Sequence, residues 1–110
     1  MLRITGLCAL LALSVLAAPQ AKQTITGVIT DSECGRADHG RMRMGPTDAE
    51  CTKACVKYHE ASYVLYDGKE TYELSDQKTP EQFAGQKVTV TGRLDAKTKT
   101  IQVDNIAAAK

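Results

Sequence analysis

The chain has 110 residues, with 14 basic and 13 acidic side chains, one Phe, four Tyr and no Trp. A chain this short is one small domain, and its balanced charge leaves no footprint for a polyanion, so nucleic acid is not the expected partner. So few aromatics make a lean core, and a domain of this size gains much from a disulfide or a metal.

Arg3 begins a leader pattern. Leu7 to Ala18 is apolar apart from Ser14, and small residues follow at Ala17, Ala18 and Ala21. This three-part arrangement predicts a secretory signal peptide over residues 1–21, cleaved after Ala17, Ala18 or Ala21. The apolar run is about a dozen residues, short of the roughly 18 that a membrane span needs, so no span is expected after cleavage. An uncleaved anchor is the competing reading. Cys8 leaves with the leader. The expected domain is 22–110, secreted or periplasmic, where thiols oxidise.

The mature chain opens on a strand, Thr24 to Asp31, with Ile25, Gly27 and Ile29 on one face and a bend or bulge at Gly27. Ser32 to Gly45 holds glycines, arginines and methionines in no regular period, which predicts a loop. Thr47 and Glu50 are spaced as a capping box, with Asp48 in the first turn. They start a helix running from Asp48 to about His59. Cys51, Ala54, Cys55 and Tyr58 form one stripe along it.

Ser62 to Tyr66 and Glu70 to Leu74 flank Asp67-Gly68, which predicts a hairpin. A two-residue or a four-residue turn keeps Tyr63, Leu65, Tyr72 and Leu74 on the core face. Thr79-Pro80 starts a short helical turn that Gly85 ends, delivering Phe83 to the core. A last hairpin runs from Gln86 to Leu94 and from Lys99 to Asn105. Its expected register sets Ile101 opposite Gly92 and Val103 opposite Val90. The sum is a mainly β domain: a small five-stranded OB-like barrel with one helix inserted after strand 1 and a helical turn before strand 4.

The segments Thr24-Ile-Thr-Gly-Val-Ile-Thr-Asp-Ser-Glu-Cys-Gly35, Cys51-Thr-Lys-Ala-Cys-Val56, Tyr63-Val-Leu-Tyr-Asp-Gly68 and Phe83-Ala-Gly-Gln-Lys-Val-Thr-Val-Thr-Gly92 resemble a family of small secreted bacterial domains of unknown function. The resemblance covers about Thr24 to Ile106, and its cysteine segment is the specific part. It implies an OB-type barrel and an exported location, and it carries over no catalytic residues.

Chemistry concentrates in the 32–60 insert. Three cysteines, Cys34, Cys51 and Cys55, leave one sulfur over if a disulfide forms. The expected bridge ties Cys34 to Cys51 or Cys55. Cys51 with Cys55 is disfavoured, because side chains one helical turn apart seldom meet disulfide geometry. A closed loop of about 20 residues is worth roughly 3 kcal/mol in the chain-entropy account. The leftover thiol then behaves as a small hydrophobe.

The alternative is a metal site. Cys34, Cys51, Cys55, His39 and His59 hold enough ligands for zinc, with no Cys-x-x-Cys pair. Met42 and Met44, near His39, add soft donors that suit cuprous copper. A His with a Met-x-Met pair on an OB barrel is similar to periplasmic copper chaperones. The competing role for the two methionines is packing the loop.

Arg36, Arg41 and Arg43 form a basic cluster that could serve an anionic ligand or simply be solvated, with Asp31, Glu33 and Asp38 close by. Enzyme motifs are missing: no redox Cys-x-x-Cys, no nucleophile context for the histidines, no phosphate loop and no EF-hand. The expectation is a non-catalytic binding or structural domain, its partner an unidentified small ligand or protein. It is stabilised by a disulfide, without a cofactor. The alternative function is copper or zinc binding by the insert.

Overall fold

A computed structural model describes residues 21–40 and 45–110. The expected leader up to residue 20, with Arg3 and Cys8, lies outside the described residues, as do Arg41, Met42, Arg43 and Met44.

Five strands close into a barrel in the order β1-β2-β3-β5-β4. They are β1 (Lys22–Asp31), β2 (Tyr63–Tyr66), β3 (Thr71–Leu74), β4 (Lys87–Asp95) and β5 (Thr100–Ala108). Helix α1 (Asp48–Tyr58) follows β1, and a 3-10 turn (Thr79–Phe83) precedes β4. All pairings are antiparallel except β3 with β5, which run parallel. The expected mainly β, OB-like architecture is therefore what forms.

Closure depends on β1 serving two neighbours. It pairs with β4 from Lys22↔Arg93 to Val28↔Lys87, and with β2 from Val28↔Tyr66 to Asp31↔Tyr63. The changeover falls beside Gly27, where a Cβ would sit 2.4 Å from the Tyr66 carbonyl oxygen. Only a residue without a side chain lets β2 approach there.

The β2–β3 hairpin takes the longer of its two expected turns. The Asp67 amide donates to the Glu70 carbonyl, and Asp67 Oδ1 accepts the amides of Lys69 and Glu70. Register in the last hairpin differs from expectation. Ile101 pairs with Leu94, Val103 with Gly92 and Ile106 with Val90, with an irregularity between Thr91 and Gly92. Two local causes account for it. Asp95 Oδ1 accepts the amides of Lys97 and Thr98, which places the turn one step later. The bulge then leaves Asp104 unpaired and shifts the rest of β5. Ile101 still covers Gly92, since a Cβ there would lie 2.9 Å from Ile101 Cγ2.

Ile29, Tyr63, Leu65, Leu74, Ala84, Val88, Val90, Ile101 and Ile106 make the barrel core, with Ile25, Tyr72, Phe83, Leu94 and Val103 packed against it. The insert has its own small cluster of Cys51, Cys55 and Ala61, and Val56 touches both. Thr47 caps α1 as expected, its hydroxyl oxygen accepting the Glu50 amide at 3.1 Å. Tyr58 departs from the expected stripe. It is 67% exposed, because the buried face of α1 is set by Cys51, Thr52 and Cys55, and Tyr58 is the last helical residue. The start of α1 rests on Gly85, whose φ of +75° is the left-handed cap expected after the 3-10 turn. A Cβ at Gly85 would lie 2.8 Å from the Ala49 amide nitrogen.

Candidate metal centre

The site is assembled where β1 ends. Asp31 is fully buried. Its Oδ1 accepts the amides of Glu33 at 3.0 Å and Cys34 at 2.9 Å, so the chain turns sharply and brings Cys34 back over the strand end. The Thr30 hydroxyl donates to the Cys34 carbonyl at 2.9 Å, and the Ala37 amide donates to the same oxygen at 2.7 Å. Ser32 and Ser62 bind each other twice, amide to carbonyl and amide to hydroxyl oxygen. The Thr71 hydroxyl donates to the Gly35 carbonyl. Irregular in sequence, the start of the loop is thus pinned to β1, to β3 and to Ser62 just before β2.

Across from it, α1 presents Cys51 and Cys55 one turn apart, both with no exposed surface. The loop adds His39, 3% exposed. Two trios of donor atoms result, each lying within 4.8 Å of one another: Cys34, His39 and Cys51; and Asp31, Cys34 and Cys55. Cys34 belongs to both.

Two buried ligand atoms in this cluster have no hydrogen-bond partner among the described residues, Asp31 Oδ2 and His39 Nδ1. Thr52 Oγ1, on the adjoining helix turn, is in the same position. A buried polar atom left unsatisfied costs about 1–3 kcal/mol, so two beside three sulfurs point to a ligand that would satisfy them. The thiols carry the same message. The Cys34 thiol is pushed up to about 11 by burial, then by the Asp31 carboxylate and the neighbouring Cys51. Burial, Asp31 and Cys51 likewise push Cys55 up to about 12. Sulfurs and a carboxylate lie close together here, and a bound cation would offset their mutual repulsion.

The disulfide expected between Cys34 and Cys51 or Cys55 finds no support among the described residues. All three cysteines are buried, and no pair of them lies at disulfide distance. A disulfide needs its sulfurs about 2.05 Å apart; Cys34 instead shares one trio with Cys51 and the other with Cys55.

The donors fit zinc. Zn–S bonds of about 2.3 Å and Zn–N bonds of about 2.0–2.1 Å in a tetrahedron set ligand atoms roughly 3.5–3.8 Å apart. Within each trio, donors within 4.8 Å of one another need close in by only about 1 Å to reach that geometry. Cys34, Cys51, Cys55 and His39 supply three soft sulfurs and one imidazole. Asp31 stands behind as an orienting or competing oxygen donor.

Of the other residues singled out from the sequence, His59 is exposed at the C-cap of α1, where its amide donates to the Cys55 carbonyl, and it is in neither trio. Met42, Met44, Arg41 and Arg43 lie outside the described residues. Arg36 is exposed and borders a polar cavity of about 350 Å³ together with Glu33, Cys34, Gly35 and Asp38. Sequence reasoning placed Asp31 among surface charges and missed its part in the cluster. Its one signal was an aspartate three residues before a cysteine at a strand end, the spacing of a side-chain-closed turn.

Residues 60–109 match a family model described as "Protein of unknown function (DUF5818)". That span covers β2 to β5 and leaves out Asp31, Cys34, His39, Cys51 and Cys55. Neither the curated proteins nor the solved structures contain a match to the chain.

Proposed function

We propose that this chain is a non-catalytic metal-binding domain in which Cys34, Cys51, Cys55 and His39 hold one zinc ion. The observation that carries the reading is that two trios of buried donors, Cys34–His39–Cys51 and Asp31–Cys34–Cys55, share Cys34, while His39 Nδ1 and Asp31 Oδ2 have no hydrogen-bond partner among the described residues. Zinc is preferred to copper because a four-donor set of thiolates and one imidazole suits a closed tetrahedral site. Such an ion would pin the insert to the barrel, the role assigned from sequence to a disulfide. It would give a lean core folding energy directly. Export remains part of the proposal on the strength of the leader pattern. In an oxidising compartment, coordination would hold the three thiolates and so oppose their pairing.

Titration of reduced, metal-free protein with zinc against a chromophoric chelator tests this. One ion per chain is expected. Cys34→Ser, Cys51→Ser, Cys55→Ser and His39→Ala should each weaken binding by more than about 100-fold, beyond what loss of an outer-shell partner costs. His59→Ala should bind as wild type. Equal affinity across all the variants would end the proposal.

A further inference from the structure

We infer that the cavity bordered by Glu33, Cys34, Gly35, Arg36 and Asp38 is the entry port by which a hydrated divalent cation reaches the cluster, with the Glu33 and Asp38 carboxylates as capture ligands and Arg36 as an opposing charge. The inference rests on the zinc reading above and adds a route and a rate to it.

Cys34 is the only cluster residue among the described residues lining the cavity. It is also the only one of the three sulfur residues with measurable exposure, 6% against none for Cys51 and Cys55. An ion arriving from this side therefore meets Cys34 first. The cavity's 350 Å³ or so is well above the about 10–15 Å³ that one water needs, room for a hydrated ion.

Carboxylates at a mouth with low-dielectric walls concentrate field lines and raise the local density of cations. Asp38 and Cys34 line the same cavity, so an ion held at Asp38 faces its first soft ligand. Oxygen donors hold zinc less selectively than thiolate and imidazole do, and transfer inward follows from that order. At each sulfur the Zn–S bond replaces a bound water or carboxylate oxygen. The thiol proton leaves through the cavity to solvent, one proton for each thiol ligated. Asp38 Oδ1 already accepts the Gly40 amide at 3.1 Å, which keeps its carboxylate in place at the rim.

Cobalt(II) alone is the probe, since sulfur-to-cobalt charge-transfer absorption reports ligation directly. Stopped-flow uptake at low ionic strength is compared for wild type, Glu33→Gln, Asp38→Asn, Arg36→Gln and a remote control, Asp104→Asn. Asp104 pairs with Lys22 at the opposite end of β1 from Asp31, about 30 Å away at strand rise.

Uptake should slow by about threefold or more in each carboxylate variant and about tenfold in the double variant, within the range of electrostatic steering. Arg36→Gln should accelerate it, and Asp104→Asn should leave it unchanged. Dissociation should slow together with association, so that affinity holds within about twofold. Uptake rates unchanged in Glu33→Gln and Asp38→Asn, or slowed equally by Asp104→Asn, overturn the port. So does a loss of affinity carried wholly by faster dissociation, which would make the carboxylates resident ligands. Absence of any charge-transfer band in equilibrated wild-type protein defeats the zinc reading itself, and that is seen before kinetics begin.

Discussion

The Cys34 amide donates to Asp31 Oδ1 at 2.9 Å, while Asp31 Oδ2 stays buried with no partner among the described residues. One carboxylate thus shapes the turn that positions a sulfur and also raises the proton affinity of Cys34 and Cys55. Asp31→Asn keeps an oxygen for the turn and removes the charge. In metal-free protein both thiols should then ionise at lower pH, read from thiolate absorbance or from alkylation rate against pH. An unmoved profile would show that the carboxylate does not act on the sulfurs. Asp31→Ala also removes the acceptor of two amides, and should cost about 2–3 kcal/mol in denaturant unfolding.

Alkaline pH should destabilise the metal-free, reduced protein. Folded Cys34 and Cys55 hold their protons to about 11 and about 12, against 9.0 for an ordinary thiol. Between those values the unfolded chain binds fewer protons than the folded one, so rising pH favours unfolding. The contribution is complete below pH 9.0 and lost as pH rises through 11 to 12. At about 1.4 kcal/mol per pH unit, the loss should reach a few kcal/mol. Urea midpoints measured from pH 8 upward check this. With zinc bound, the thiolates are already formed and the decline should flatten.

Gly85→Ala should damage the insert and the barrel together. The φ of +75° disfavours any side chain, and the new Cβ would press on the Ala49 backbone at the start of α1. About 2–3 kcal/mol of stability should be lost. Because α1 carries Cys51 and Cys55, zinc affinity should fall as well, although Gly85 touches no donor.

Thr47→Ala removes the cap that accepts the Glu50 amide, at a cost of about 1 kcal/mol. Thr47→Ser should restore most of it. Thermal unfolding of the three proteins side by side distinguishes a cap from a merely tolerated surface residue.

The barrel was legible because its signals are local and periodic. Alternation marked Val88 and Val90, Asp67-Gly68 marked a hairpin, and Thr47 with Glu50 marked the helix start. What failed depended on how turns close. The Asp95 side chain delays its turn and Asp104 is pushed out of the ladder, and neither event leaves a periodic trace. Tyr58 fits the helical stripe by spacing, but the insert packs only the face around Cys51 and Cys55, so the ring points to solvent. The donor types of the site were visible from the start. Their convergence was not, because 32–45 has no period and the start of its path is set by hydrogen bonds to Asp31 and from Thr30 and Thr71.

X-ray absorption at the zinc edge of protein loaded with one equivalent of zinc tests the central claim most directly. Three sulfur scatterers at about 2.3 Å and one nitrogen at about 2.0–2.1 Å are predicted. A shell of oxygen and nitrogen alone, with the three thiols still free to alkylate, would contradict it.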